Sequence, residues 1–224
     1  IGMSPDSAIS YDLGVLKPGE EATLTLFVSI YKNKEMNILS NIDSEIDRIK
    51  RFDIEKMQND TEEYWIKYLK DHDKLNILSG NYSKEIKNIY SRTILLLPLL
   101  VNEQTGGISA GIEVDEFKTF CGRYSYCWPR DGVFITEALD IIGMNDISEK
   151  FYSEFCRMTQ SRTGMWEQRF FTDGRLAPCW GYQIDETASV IFGIYKHYQV
   201  IKDKAFLKDT LKMCENAVKF LEKY

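Results

Sequence analysis

Tyr124-Ser-Tyr-Cys-Trp-Pro-Arg-Asp131 is a polar, aromatic stretch that runs straight into the apolar series Val133, Ala138, Ile141 and Ile142. Steps of three and four between apolar residues mark one face of a helix, so the stretch is read as a loop feeding a helix. Pro129 ends an extended run and suits a first helical turn, where its missing N–H costs nothing. The recipe recurs downstream. Leu176-Ala-Pro-Cys-Trp-Gly-Tyr-Gln-Ile-Asp-Glu-Thr187 overlaps a series of Ile184, Ala188, Ile191, Ile194, Tyr195 and Tyr198. Two loops of like composition, each opening an apolar helix, predict a mainly α fold.

The same periodicity extends outward in both directions. Ile86, Ile89, Tyr90, Ile94 and Leu97 form one face, Ile147, Phe151, Phe155 and Met158 another, and Phe206, Leu207, Leu211, Cys214, Ala217, Val218 and Leu221 a last one. The run from Ile94 to Val101 contains Pro98 and is too short to span a bilayer, so it is expected to be a buried helix. Two connections are long, Gln104 to Pro129 and Arg162 to Gln183, and long loops in a helical domain tend to carry function. Residues 80–224 are therefore expected to form one helical domain. Residues 38–79 read as a helical linker, with Asp60-Thr-Glu-Glu63 resembling a capping box before Tyr64 and Trp65. Residues 1–37 read as the closing strands of a β-sandwich. Lys17-Pro-Gly-Glu20 is a turn signal there, and Ala22 to Ile30 alternates like a strand.

Composition narrows the partners. The 224 residues carry a net charge of −6, which argues against a phosphate backbone as ligand and so against nucleic acid. No apolar run is long enough for a membrane span. The five cysteines form no Cys-x-x-Cys pair, and with two histidines no zinc site has convincing spacing. Small buried thiols are expected, which favours a reducing, cytoplasmic compartment. Gly-x-x-x-x-Gly-Lys and Gly-x-Gly-x-x-Gly are absent from the sequence, so phosphate-loop and dinucleotide chemistry lack support.

The chemistry concentrates in the two loops. Trp128 supplies a flat apolar wall, and Arg130 and Asp131 put a charged donor and a charged acceptor beside it. A sugar presents that mixture, with C–H faces and hydroxyls that need fixed partners. The plainer reading makes Asp131 the N-cap of its helix. In the second loop Trp180, Tyr182 and Gln183 stand beside Asp185 and Glu186. The plainer reading of the two acids is compensation of a helix dipole, which does not call for the aromatic and amide neighbours. Met165 to Arg175 is expected to be a small hairpin turning at Asp173-Gly174, with Glu167 and Arg169 as an exposed cross-strand pair.

These residues resemble glycoside hydrolase family 15, the glucoamylases and their relatives. That family carries Tyr-x-x-x-Trp-x-Arg-Asp, here Tyr124, Trp128, Arg130 and Asp131, and a stretch like Trp-x-x-Gln-x-Asp-Glu, here Trp180, Gln183, Asp185 and Glu186. The resemblance implies the first half of an (α/α)6 barrel, preceded by sandwich strands and a helical linker. It implies inverting release of glucose from α-glucosidic ends, an α-glucan or oligosaccharide substrate and no cofactor. Tyr124, Trp128, Arg130, Asp131, Trp180, Gln183 and Asp185 would bind the sugar, with Asp185 supporting the site rather than performing chemistry. Inverting cleavage needs two carboxyl groups roughly 6.5–9.5 Å apart to admit a water. Neither family glutamate has a counterpart here, so the chain is expected to be part of a longer enzyme, inactive by itself and prone to self-association. The alternative is a non-catalytic carbohydrate-binding or structural helical module. A plain scaffold would bury Trp128 and Trp180 fully.

Overall fold

The computed structural model describes residues 8–28, 38–112, 124–179 and 181–224. The chain divides into two compact units, Ile1–Asp60 and Thr61–Tyr224. In the first, helix α1 spans Ile38–Ile49. The Lys17–Glu20 turn forms as expected: Glu20 N–H donates to the Lys17 carbonyl at 3.0 Å, and Gly19 takes the positive φ, 84°, that the third residue of this turn requires. Residues 22–28 form no ladder among the described residues, and the rest of the expected strand lies outside them. An alternating segment becomes a strand only against a partner edge, and the described residues offer it none.

Helix α2 runs Ile54–Asp71 and crosses the boundary between the units. Its start corrects the sequence reading. Asp53 caps it, accepting the Lys56 N–H at 3.0 Å, so Asp60 to Glu63 sit inside the helix rather than at its entrance. In the second unit, α3 (Lys84–Leu96) is capped by Ser83 and passes into a 3-10 turn, Leu97–Leu100, where Pro98 falls in the first turn. Then come α4 (Pro129–Ile141), α5 (Asn145–Lys150), a π-helical segment (Phe151–Cys156), α6 (Arg157–Thr159), α7 (Ile184–Ile201) and α8 (Lys204–Leu221). From α5 to α6 the backbone is one helical rod. Its π-helical middle turns Phe151, Tyr152, Phe155 and Cys156 inward together, and all four are buried.

Side-chain pairings fix the directions of these helices. Glu186, at the start of α7, meets Arg130 at the start of α4, whereas Lys196 and His197 near its end meet Glu137 and Asp140 near the end of α4. Helices α4 and α7 therefore run parallel. The 145–159 rod runs antiparallel to α4, because Phe151 lies against Gly132 while Ser148, earlier in the rod, donates to the carbonyl of Thr136, later in α4, at 3.1 Å. The rod is parallel to α8: Tyr152 meets Phe206, Arg157 meets Asp209, and Gln160 Nε2–H donates to the Met213 carbonyl at 2.9 Å. Helix α8 follows α7 after Lys202, which takes a left-handed conformation, and Asp203, which caps α8 by accepting the Ala205 N–H at 2.8 Å. Alternate helices are thus parallel and consecutive ones antiparallel, the arrangement of an α-helical barrel fragment.

One apolar core holds these helices, centred on Ile94, Leu139, Phe151, Phe155, Trp166, Val190 and Ile194. Trp166, in the loop before α7, is anchored at both polar ends. Its indole N–H donates to the Cys156 carbonyl at 2.8 Å, and its backbone N–H to the Thr187 hydroxyl at 3.1 Å. A buried Asp140–His197 pair, with Nδ1 2.9 Å from both carboxylate oxygens, joins the far ends of α4 and α7. Among the described residues no helix is long and apolar enough to cross a membrane, and no cluster of His, Cys, Asp and Glu could hold a metal ion.

Candidate functional site

Because α4 and α7 are parallel, the loops that open them end side by side. The loop before α4 is fixed by short β-bridges. Cys127 exchanges two backbone hydrogen bonds of 2.8 Å with Phe170, and Tyr126 accepts the Ala110 N–H at 2.9 Å. Phe170 also bridges Leu176, closing the expected hairpin over Asp173-Gly174, with Gly174 at φ 87°. The two long loops are thereby sewn together beneath the entrance to both helices.

The aromatic wall follows from this stitching. The Tyr124 and Trp128 rings lie 5.7 Å apart at a shallow angle, and Tyr126 meets Trp128 edge-on at 6.1 Å. Tyr124 is half-exposed and Trp128 partly so, which contradicts the plain scaffold reading for Trp128. Arg169 is the residue that the sequence reading misplaced. It is 9% exposed, with its guanidinium 5.1 Å from the Tyr126 ring centre and 5.3 Å from that of Trp128. Its Nε–H donates to the Pro178 carbonyl at 2.7 Å. A guanidinium attracted to ring faces stiffens the wall from behind, a role available only once the hairpin folds against residues 126–128. Its two partner rings come from the other loop, so nothing in residues 165–175 alone announced this role.

The charged groups gather at the two helix starts. Trp128 is the N-cap residue of α4, so Asp131 sits inside the first turn; this corrects the expectation of Asp131 as the cap. Arg130 reaches across to α7. Its Nη1 lies 2.5 Å from Asp185 Oδ2 and 3.2 Å from Glu186 Oε1, and its Nη2 lies 3.2 Å from Asp131 Oδ2. Its backbone N–H donates to Glu186 Oε2 at 2.7 Å. Burial alone would lower the Arg130 pKa, but the Asp185 hydrogen bond and the charges of Glu186 and Asp131 raise it above its ordinary value. Gln183 is the N-cap residue of α7 without a side-chain cap, and its amide oxygen is buried with no hydrogen-bond partner. Tyr182 is exposed, and Trp180 lies outside the described residues.

The described residues thus unite Tyr124, Trp128, Arg130, Asp131 and Asp185 at one junction, with Gln183 just before α7. Glu186, which the sequence reading gives only as a dipole-compensating acid and as part of the Trp-x-x-Gln-x-Asp-Glu stretch, is the buried member of the cluster. The arrangement offers flat apolar faces beside a fixed cation and two partly exposed carboxylates, which suits a neutral polyhydroxylated ligand.

Comparison with known proteins agrees in kind. The chain is similar to an uncharacterized glycosyl hydrolase of Methanocaldococcus jannaschii, with 25% identity over 220 residues, or 98% of this chain and 34% of that protein. The chain therefore spans about a third of the length of the relative that it matches. No family model and no solved structure matches the chain.

Proposed function

We propose that this chain forms the substrate-holding part of a glucoamylase-like glycoside hydrolase, one that releases glucose from the non-reducing ends of α-glucosidic chains by inversion. The observation that carries the reading is Arg130, held between Asp131 and Asp185 at the mouth of two parallel helices, beside the Tyr124–Trp128 wall. A pyranose would lay a C–H face on the rings and bridge its hydroxyls between the Arg130 N–H donors and the two carboxylates. Gln183 and Trp180 would complete the lining from the second loop.

The carboxyl pair that cleaves the bond is assigned to chain beyond these 224 residues. Asp131 and Asp185 share one guanidinium, an arrangement that suits holding sugar hydroxyls. The relative's greater length leaves room for such a pair.

Two measurements test the proposal. A longer form of the protein should release glucose from maltooligosaccharides, with the product appearing first as the β-anomer; no release, or an α-anomer, rejects the glucoamylase-like reading. The 224-residue chain should bind glucose or the iminosugar 1-deoxynojirimycin without turnover.

A further inference from the structure

Arg130, Asp131 and Asp185 all keep part of their side chains in solvent, as a sugar-binding group must. Glu186 does not: its side chain is 0% exposed. A fully buried carboxylate cannot touch a sugar, so whatever it does passes through its neighbours. Simple compensation of the α7 dipole does not require burial either, because exposed first-turn acids provide it.

Its contacts are specific. Glu186 Oε2 accepts the Arg130 backbone N–H at 2.7 Å. That N–H belongs to the first turn of α4, where four backbone donors lack a partner within the helix. Trp128, at the N-cap, supplies no side-chain cap. Glu186 therefore caps α4 from another helix, 56 residues away in sequence. Its second oxygen lies 3.2 Å from Arg130 Nη1, in ion-pair range but off the direction of a hydrogen bond, and makes no other hydrogen bond. One carboxylate thus holds both the backbone and the guanidinium of Arg130.

We propose that Glu186 is the positioning residue of this site: it caps α4 from α7 and fixes the Arg130 guanidinium between Asp131 and Asp185. The role in sugar recognition rests on the function proposed above; the clamp on Arg130 does not. The clamp is also proton-linked. The Glu186 carboxyl is raised to about 7: burial is the largest cause, the Arg130 N–H and charge oppose it, and the charges of Asp185 and Asp131 add to it. The charged and titratable groups facing it are Arg130 and Asp131 from α4, Asp185 from α7, and the Cys127 thiol just before α4, itself raised by burial and neutral in this range. As pH rises through about 7, Oε1 becomes an anion facing Nη1 and the grip tightens.

The test uses the 15N-labelled 224-residue chain and the Arg130 Nε–Hε signal, assigned by its loss in Arg130→Lys. In the native chain the signal should shift between pH 5.5 and 8 with a midpoint near 7. In Glu186→Gln, with helix content retained by circular dichroism, that step should vanish. In Glu186→Asp, whose shorter side chain reaches one partner but not both, it should shrink. A native signal without a step, or a step that survives in Glu186→Gln, overturns the clamp; if Glu186→Gln does not fold, the native titration alone decides. Calorimetric glucose binding at pH 8 separates the two ideas. Glu186→Gln should weaken it roughly tenfold, as when a group that orients a binding side chain is removed. No glucose binding by the native chain, with the step present, rejects sugar binding and keeps the clamp. Equal glucose binding by both forms, with no step, rejects the clamp and keeps sugar binding.

Discussion

Asp131 stands inside the first turn of α4 with 35% of its side chain exposed, and that position separates its two possible contributions. As a first-turn acid it stabilises the helix by about 0.3–1 kcal/mol. As an acceptor for sugar hydroxyls it would make charge-assisted hydrogen bonds of about 1.5–3 kcal/mol. Asp131→Ala should therefore weaken glucose or iminosugar binding by tenfold or more while the chain still melts within a few degrees of the native form. A variant that binds as the native chain does would remove Asp131 from the site. Glu186 makes the opposite trade. Its carboxyl is raised by burial from 4.5 to about 7, so the folded chain binds its proton more tightly than the unfolded chain does. Stability then falls as pH rises from about 4.5 to about 7, and stays at the lower level above that. The ionised form grips Arg130 but recovers only part of its lost hydration. The slope should be worth on the order of 1–3 kcal/mol, and Glu186→Gln should flatten it. Urea unfolding of both forms at pH 5 and pH 8 measures this, and parallel native and variant slopes would assign the pH dependence elsewhere.

Between helices, the closest approach in the core is set by glycine. Gly193 of α7 faces α4 and the π-helical segment; a Cβ there would lie 2.3 Å from the Tyr152 hydroxyl and 2.8 Å from a Val133 methyl. Alanine would gain about 1 kcal/mol in helix propensity. Overpacking typically costs about 1–3 kcal/mol, and Tyr152 has little freedom to yield because its hydroxyl already lies 2.6 Å from that of Thr136. Overpacking should win, so Gly193→Ala is expected to lower stability by roughly 1–2 kcal/mol in urea unfolding, and a more stable variant would show that the core can give way. This contact also marks where sequence reading stops. The existence of α4, α7 and α8 was legible because Val133, Ile194, Phe206 and their partners recur at helical spacing. The parallel pairing of α4 with α7 was not, since it rests on contacts between residues 55 to 57 positions apart, such as Arg130–Asp185 and Asp140–His197. The same limit hid Arg169, whose rings come from another loop, and the role of Glu186. The π-helical turn at Phe151–Cys156 escaped because its spacing is chosen by the core around it. By contrast, Tyr124, Trp128, Arg130 and Asp131 were legible because all four fall within eight residues of one loop and helix start.

In the second unit, the α4–α7 pair is packed on one side and wet on another. Phe134 and Ile141 of α4 are 65% and 58% exposed, and Phe192 and Tyr195 of α7 are 53% and 57% exposed. Glu137, between Phe134 and Ile141 on α4, pairs with Lys196 of α7 at 2.8 Å, and Lys196 also lies over the Phe192 ring, which puts these residues on one face. Large apolar side chains exposed together on one face, around an ion pair, favour a partner surface. In the proposed barrel, further helices would cover it; in the 224-residue chain, another copy can. The chain should therefore sediment as a concentration-dependent mixture of monomer and larger species, and its melting temperature should rise with protein concentration, because association stabilises only the folded form. Phe134→Lys and Phe192→Glu together should abolish both effects. Each new charge meets an existing opposite one, Glu137 or Lys196, and each replaced ring is already in water, so the monomer should keep its helix content. If the native chain stays monomeric and melts at one temperature across a hundredfold range of concentration, the exposed face is not adhesive, and the case for helices that cover it in a longer chain loses its physical motive.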